Sequence, residues 1–144
     1  MAITRSADAV WRGGGKDGSG SLSTASGALS QVPYSLGKRF GDEPGTNPEE
    51  LIGAAHAGCF AMALAVQLAG AGHKPEELRT RADVRIEQQE GGGWRIKAVT
   101  LNLEGRVPGI SADEFQRIAE AAKNGCPVSN VLKGADITLN ARLA

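Results

Sequence analysis

Aromatic side chains are scarce: two tryptophans, one tyrosine and three phenylalanines among 144 residues. A stacking platform for unpaired bases is therefore not expected. An excess of either charge is missing too. Sixteen basic residues balance sixteen acidic ones, giving a formal net charge of zero, and no basic run occurs. That argues against nucleic acid and membrane surfaces as partners. Cysteine is almost absent. Cys59 and Cys126 are a single widely spaced pair, unlike the framework of a small secreted domain. No Pro/Ser linker, low-complexity block or internal repeat divides the chain, so one domain spanning 1–144 is expected. The first eighteen residues lack an apolar leader segment, which points to a cytoplasmic protein. The glycine triplets at 13–15 and 91–93 read as turns, because neither sits between a strand and a helix as a phosphate loop would.

What is present begins with β-structure. "ADAVWRG", "GSLSTASGAL" and "QVPYSLGKRF" are short β-prone runs separated by turn signals, so the first forty residues read as strands. "GDEPGTNP" is a loop. A long helix then starts at Asn47, a good N-cap, with Pro48 at the first helical position and Glu49 and Glu50 at the positive end of the dipole. It should run to about 69–72. Residues 51–72 carry no formal charge, which is long enough to raise the question of a membrane span. His56, Gln67 and the many small residues favour a core helix instead, apolar nearly all round and buried on most sides.

"TRADVRIEQQ" alternates as a half-buried strand, and "WRIKAVTLNLEGRV" answers it after a glycine turn. A phase change between Ala98 and Leu101 predicts a bulge. "SADEFQRIAEAAKNG" is an amphipathic helix with Ser111 and Glu114 as a capping box and a stripe of Phe115, Ile118, Ala119 and Ala122. "CPVSNVL" reads as a short helical turn and "ADITLNARL" as a last strand. The order predicts an α+β fold, with antiparallel sheet wrapped around central helices.

Two thiols are the candidate chemistry. Cys59 lies in the apolar helix, where a cysteine often merely fills space. Cys126 lies at a helix junction, between Gly125 and Pro127, near backbone N–H groups that stabilise a thiolate. Together they suit an attack-and-resolve pair, in which one thiol becomes a sulfenic acid and the other closes a disulfide. A reactive thiol needs positive charge. Lys38 and Arg39 are the nearby sources, and Glu49 or Glu50 could hold the arginine by bidentate contact. Ten residues separate Glu49 from Cys59, roughly 15 Å of helix, so a site assembled between two subunits is expected. Two rivals use His56, three residues before Cys59. One is a Cys–His hydrolase or acyltransferase; the other is a zinc site completed by Cys126 or His73. A mid-helix thiol has no free N–H for an oxyanion hole, and the metal spacing lacks a C-x-x-C partner. A non-catalytic dimeric binding protein with inert thiols is a further alternative.

"RFGDEPGTNPEELIGAAHAGCFAMAL" and "GCPVSNVLKGADITLNARL" resemble the OsmC/Ohr family of thiol peroxidases, and within it the OsmC (osmotically inducible) branch. The resemblance covers essentially the whole chain. It implies an intertwined homodimer with two interfacial sites, and a peroxidatic Cys59 resolved by Cys126. It implies an active-site arginine at Arg39, held by Glu49 of the "NPE" motif. In the Ohr branch the arginine comes earlier, where Arg12 is the only candidate. The implied activity is reduction of organic hydroperoxides, and more weakly hydrogen peroxide, by an external dithiol of lipoyl type. No metal, haem or flavin is required.

Overall fold

The computed structural model describes all residues, 1–144. The chain folds as two compact units, Met1–Leu51 and Ile52–Ala144.

The first unit is a small antiparallel sheet followed by a short helix. Strands β1 (Ala7–Arg12), β2 (Ser19–Thr24) and β3 (Val32–Tyr34) pair in that order. Trp11 and Tyr34 meet edge to face, with centroids 5.5 Å apart. The segment after Tyr34 is not strand, as its alternation suggested, but helix α1 (Leu36–Phe40). Ser35 decides this. Its hydroxyl accepts from the Lys38 N–H at 3.2 Å, an N-cap that turns the chain out of the sheet.

The second unit holds most of helix α2 (Pro48–Gly70) and a three-stranded sheet of β4 (Glu77–Gln88), β5 (Trp94–Arg106) and β6 (Asp136–Leu143). β4 and β5 form the expected antiparallel hairpin. The register steps at Lys97, which is left unpaired between Ile96 and Ala98, so the bulge lies just before the predicted position. β6 runs parallel to β5, contrary to the all-antiparallel expectation. The crossover between them contains helices α3 (Ala112–Gly125) and α4 (Pro127–Val131), and a connection of that kind returns a strand parallel.

Period-two alternation on β5 buries Val99, Leu101 and Leu103. They pack with Phe60, Leu64 and Leu68 of α2 and with Phe115, Ile118, Ala119 and Ala122 of α3, the predicted stripe. Gly53 lets α2 approach the sheet closely, since a side chain there would start 3.2 Å from the Ala82 carbonyl. The Thr80 hydroxyl bonds the Ala57 carbonyl at 3.0 Å and pins the same helix to β4. Gly105 is tighter still. A Cβ at this position would lie 2.6 Å from Cζ of the fully buried Phe115 ring. Gly105→Ala should therefore destabilise the protein by about 1–3 kcal/mol, the usual range for overpacking. Denaturant unfolding of the two proteins checks this.

α2 is long and apolar enough to cross a membrane, but it is a core helix of a soluble globular fold. Its burial differs from the all-round expectation. Gly53, His56, Phe60, Leu64 and Leu68 face inward. Met62 and Val66, on another face, are each 72% exposed.

Candidate active site

Asn47 organises the first of two constellations. Its Oδ1 accepts from the Glu50 N–H at 2.8 Å, capping α2 as expected. Its Nδ2 donates to the Lys38 carbonyl at 3.2 Å, fastening α1 to the start of α2. Arg39 and Glu49 are thereby brought together. Arg39 Nε donates to Glu49 Oε1 and Oε2 at 3.0 and 3.1 Å, and Nη2 donates to Oε1 at 2.6 Å. The guanidinium lies 5.1 Å from the Phe40 ring centroid, which braces it from the side. Glu49 is 6% exposed, and the Arg39 side chain 34%. A carboxylate this buried needs its cation.

The competing assignments separate clearly. Glu50 is exposed and caps through its backbone. Lys38 is tied to Glu43 at 2.7 Å, and that contact holds the Glu43 carboxyl below its ordinary range. Arg12 lies in an open groove with Val10, Ser19 and Ser21 and makes no ion pair.

The second constellation belongs to the other unit. Cys59 Sγ and Cys126 Sγ are 2.8 Å apart, although 67 positions separate them in the chain. Both are free thiols. Cys126 is fully buried and Cys59 only partly. Gly125 ends α3, and Cys126 then serves as its C-cap and as the N-cap of α4. This brief extended break aims the side chain at α2.

The surroundings treat the two sulfurs differently. Burial pushes the Cys59 thiol up, the contact with Cys126 adds to this, and the Val128 N–H opposes it. Burial also works against a Cys126 thiolate, but the Cys59 contact and the Ser129 and Val128 groups outweigh it, so Cys126 is lowered. Within one chain no cation offsets the burial of Cys59.

His56 does not pair with Cys59. Its Nε2 lies 2.7 Å from Ser129 Oγ, with both residues buried. Its Nδ1 is buried without a partner. His73, the other imidazole, sits 2.8 Å from Glu114 Oε1. Glu114 therefore completes only half the expected capping box: its N–H bonds Ser111 Oγ at 3.2 Å, and its carboxylate turns to His73. Ser129 was missed by sequence reasoning. Nothing in "PVSN" signals a partner 73 positions away.

Burial pushes the His56 pKa down, so the folded protein holds this imidazole neutral. The unfolded chain takes up the proton at about 6.5 and the folded one resists it. Stability should therefore fall as pH drops below that value. Thermal melts at pH 7.5 and pH 5 check this, and His56→Gln should show a weaker pH dependence.

Comparison with known proteins agrees with this layout. Residues 41–140 match the OsmC-like protein family. The chain belongs to the OsmC-like family. It is 50% identical over 143 residues to peroxiredoxin OsmC of Escherichia coli, covering 99% of each chain. It is 36% identical to an organic hydroperoxide resistance protein of Xanthomonas axonopodis pv. citri, over 88% of this chain and 87% of the other. Among solved structures, an organic hydroperoxide resistance protein from Elizabethkingia anophelis aligns with TM-score 0.75 and 29% identity, covering 100% of this chain and 99% of that one. An OsmC-like protein from Mycoplasma pneumoniae, at 17% identity and TM-score 0.78, shares the fold. The α+β architecture, with two small sheets and a long central helix, is thus that of OsmC-like proteins.

Proposed function

We propose that this OsmC-like protein is a thiol-dependent peroxidase that reduces organic hydroperoxides through Cys59 and Cys126. The observation that carries the reading is the approach of the two sulfurs to 2.8 Å. The Cys59 thiolate attacks the distal oxygen of ROOH. The O–O bond breaks, the alcohol leaves with a proton, and Cys59 becomes a sulfenic acid. Cys126 attacks that sulfur, expels water and closes a disulfide. An external dithiol, of lipoyl type in the family pattern, returns both thiols. The partly apolar surroundings of Cys59 favour organic hydroperoxides over hydrogen peroxide. Haem, flavin and metal have no part in this scheme.

Arg39 supplies the charge that Cys59 lacks. Glu49 fixes its Nε and Nη2, and Nη1 remains free to approach a thiolate or a peroxide oxygen. Without such a cation, burial works against a Cys59 thiolate. We read the 1–144 chain as one OsmC-like domain, completed by a second copy in an intertwined homodimer. The exposed apolar face of α2, with Met62 and Val66, supports that assembly. A cytoplasmic location suits a reducing cycle of this kind.

The test is consumption of cumene hydroperoxide and of hydrogen peroxide by the reduced protein, with disulfide formation followed by mass spectrometry. One disulfide per organic hydroperoxide consumed, formed faster than with hydrogen peroxide, is the expected result. Peroxide loss without a Cys59–Cys126 bridge would overturn the two-cysteine scheme.

A further inference from the structure

His56 and Ser129 are the buried polar pair that the scheme above leaves unused. They occupy the same region as the cysteines. Ser129 is on α4, three residues after Cys126, so the His56–Ser129 and Cys59–Cys126 contacts are neighbouring rungs between α2 and α4. Proximity of the Ser129 hydroxyl favours charge on the Cys126 sulfur. His56 is on α2, one turn before Cys59. The Nε2–Oγ distance of 2.7 Å joins them, and neither is open to solvent.

The orphan Nδ1 chooses between the two tautomers. If Nδ1 carried the proton, a buried N–H donor would be unsatisfied. If Nε2 carries it, the orphan is an acceptor lone pair, the more tolerated defect. Nε2–H then donates to Ser129 Oγ. The serine oxygen then accepts from His56, which leaves its own O–H as a donor.

We propose that His56 and Ser129 are positioning residues that make Cys126 the leaving group when a dithiol reopens the Cys59–Cys126 disulfide. This rests on the two-cysteine reading. Cys126 is fully buried and Cys59 is partly exposed, so an incoming thiolate reaches the Cys59 sulfur. It forms a new S–S bond there, and the electron pair of the old bond goes to Cys126. A thiolate released in a buried site needs a donor, and a better-stabilised leaving thiolate departs faster. The Ser129 hydroxyl is that donor, and His56 sets its direction. The second thiol of the reductant then displaces Cys59 and leaves as a cyclic disulfide. The two protons of the dithiol end on the two cysteines.

The test needs no peroxide. Diamide closes the disulfide in wild type, Ser129→Ala, Ser129→Thr, His56→Leu and His56→Gln, and dithiothreitol reopens it under quenched-flow alkylation. Ser129→Ala and His56→Leu should slow reopening by roughly ten- to a hundredfold, the effect of losing a hydrogen bond to a charged group. Ser129→Thr and His56→Gln, which keep the hydroxyl and an N–H donor, should recover most of the rate. With 2-mercaptoethanol as reductant, wild type should carry the mixed disulfide on Cys59 and the alkyl group on Cys126. Unchanged rates in both Ser129→Ala and His56→Leu, or a mixed disulfide on Cys126, would overturn the inference alone. Failure of diamide to bridge the two cysteines in wild type would overturn the two-cysteine reading with it.

Discussion

Cys59→Ser should lose peroxide consumption by roughly a thousandfold or more, as expected when the attacking atom is removed. Cys126→Ser should behave differently, and the contrast between the two is diagnostic. Its first turnover survives, because Cys59 still meets the peroxide. The sulfenic acid then has no neighbouring thiol, although the wild-type sulfur lies 2.8 Å away. It accumulates, reacts with dimedone, and passes to sulfinic acid under excess peroxide. Turnover stalls or depends on direct reduction by the external thiol. A hydrolase using His56 and Cys59 would be indifferent to Cys126. Its geometry is also lacking, since His56 Nε2 is held by Ser129. A burst of one peroxide per protein in Cys126→Ser, with none in Cys59→Ser, is the expected pattern. Equal bursts from both variants would remove Cys59 from the peroxidatic role.

Much of this site was legible because its signals are local or chemically rare. Asn47, Pro48 and the two glutamates mark the start of α2, and the cap forms as read. Only two thiols exist in the chain, so their meeting could be posed as a question before any fold was known. The parallel pairing of β6 with β5 was missed for a reason of topology. Strand alternation is the same in parallel and antiparallel pairs; the two helices between the strands were the better guide. α1 was missed because five helical residues leave no period, and one serine cap outweighed a β-prone run. The exposed face of α2 was misjudged because an apolar helix reads the same in sequence whether or not its own chain covers every side. The His56–Ser129 contact and the tie from Asn47 to the Lys38 carbonyl are long-range or backbone-specific, and neither leaves a trace in spacing.

The arginine variants should produce the next largest effect, and the choice of substitution matters. Arg39→Leu would strand Glu49 as a buried carboxylate without its cation, so lost activity there would be confounded with lost stability. Arg39→Lys keeps the charge but loses the fork that grips both carboxylate oxygens. If the guanidinium stabilises the Cys59 thiolate and the departing oxygen, Arg39→Lys should lower the second-order rate with cumene hydroperoxide by about 100-fold, as for loss of a preorganised donor. Glu49→Gln should lose less, on the order of tenfold, because the amide still accepts one bond but no longer fixes the fork. The thiol titration separates this from simple misfolding. Burial already raises Cys59 in the single chain, so removing the oriented cation should move its alkylation profile further upward in pH. The rate loss should then shrink when the assay is run at higher pH, where the thiolate forms without help. A rate loss that stays constant across pH, with the alkylation profile unmoved, would mean that Arg39 acts on the peroxide rather than on the thiol.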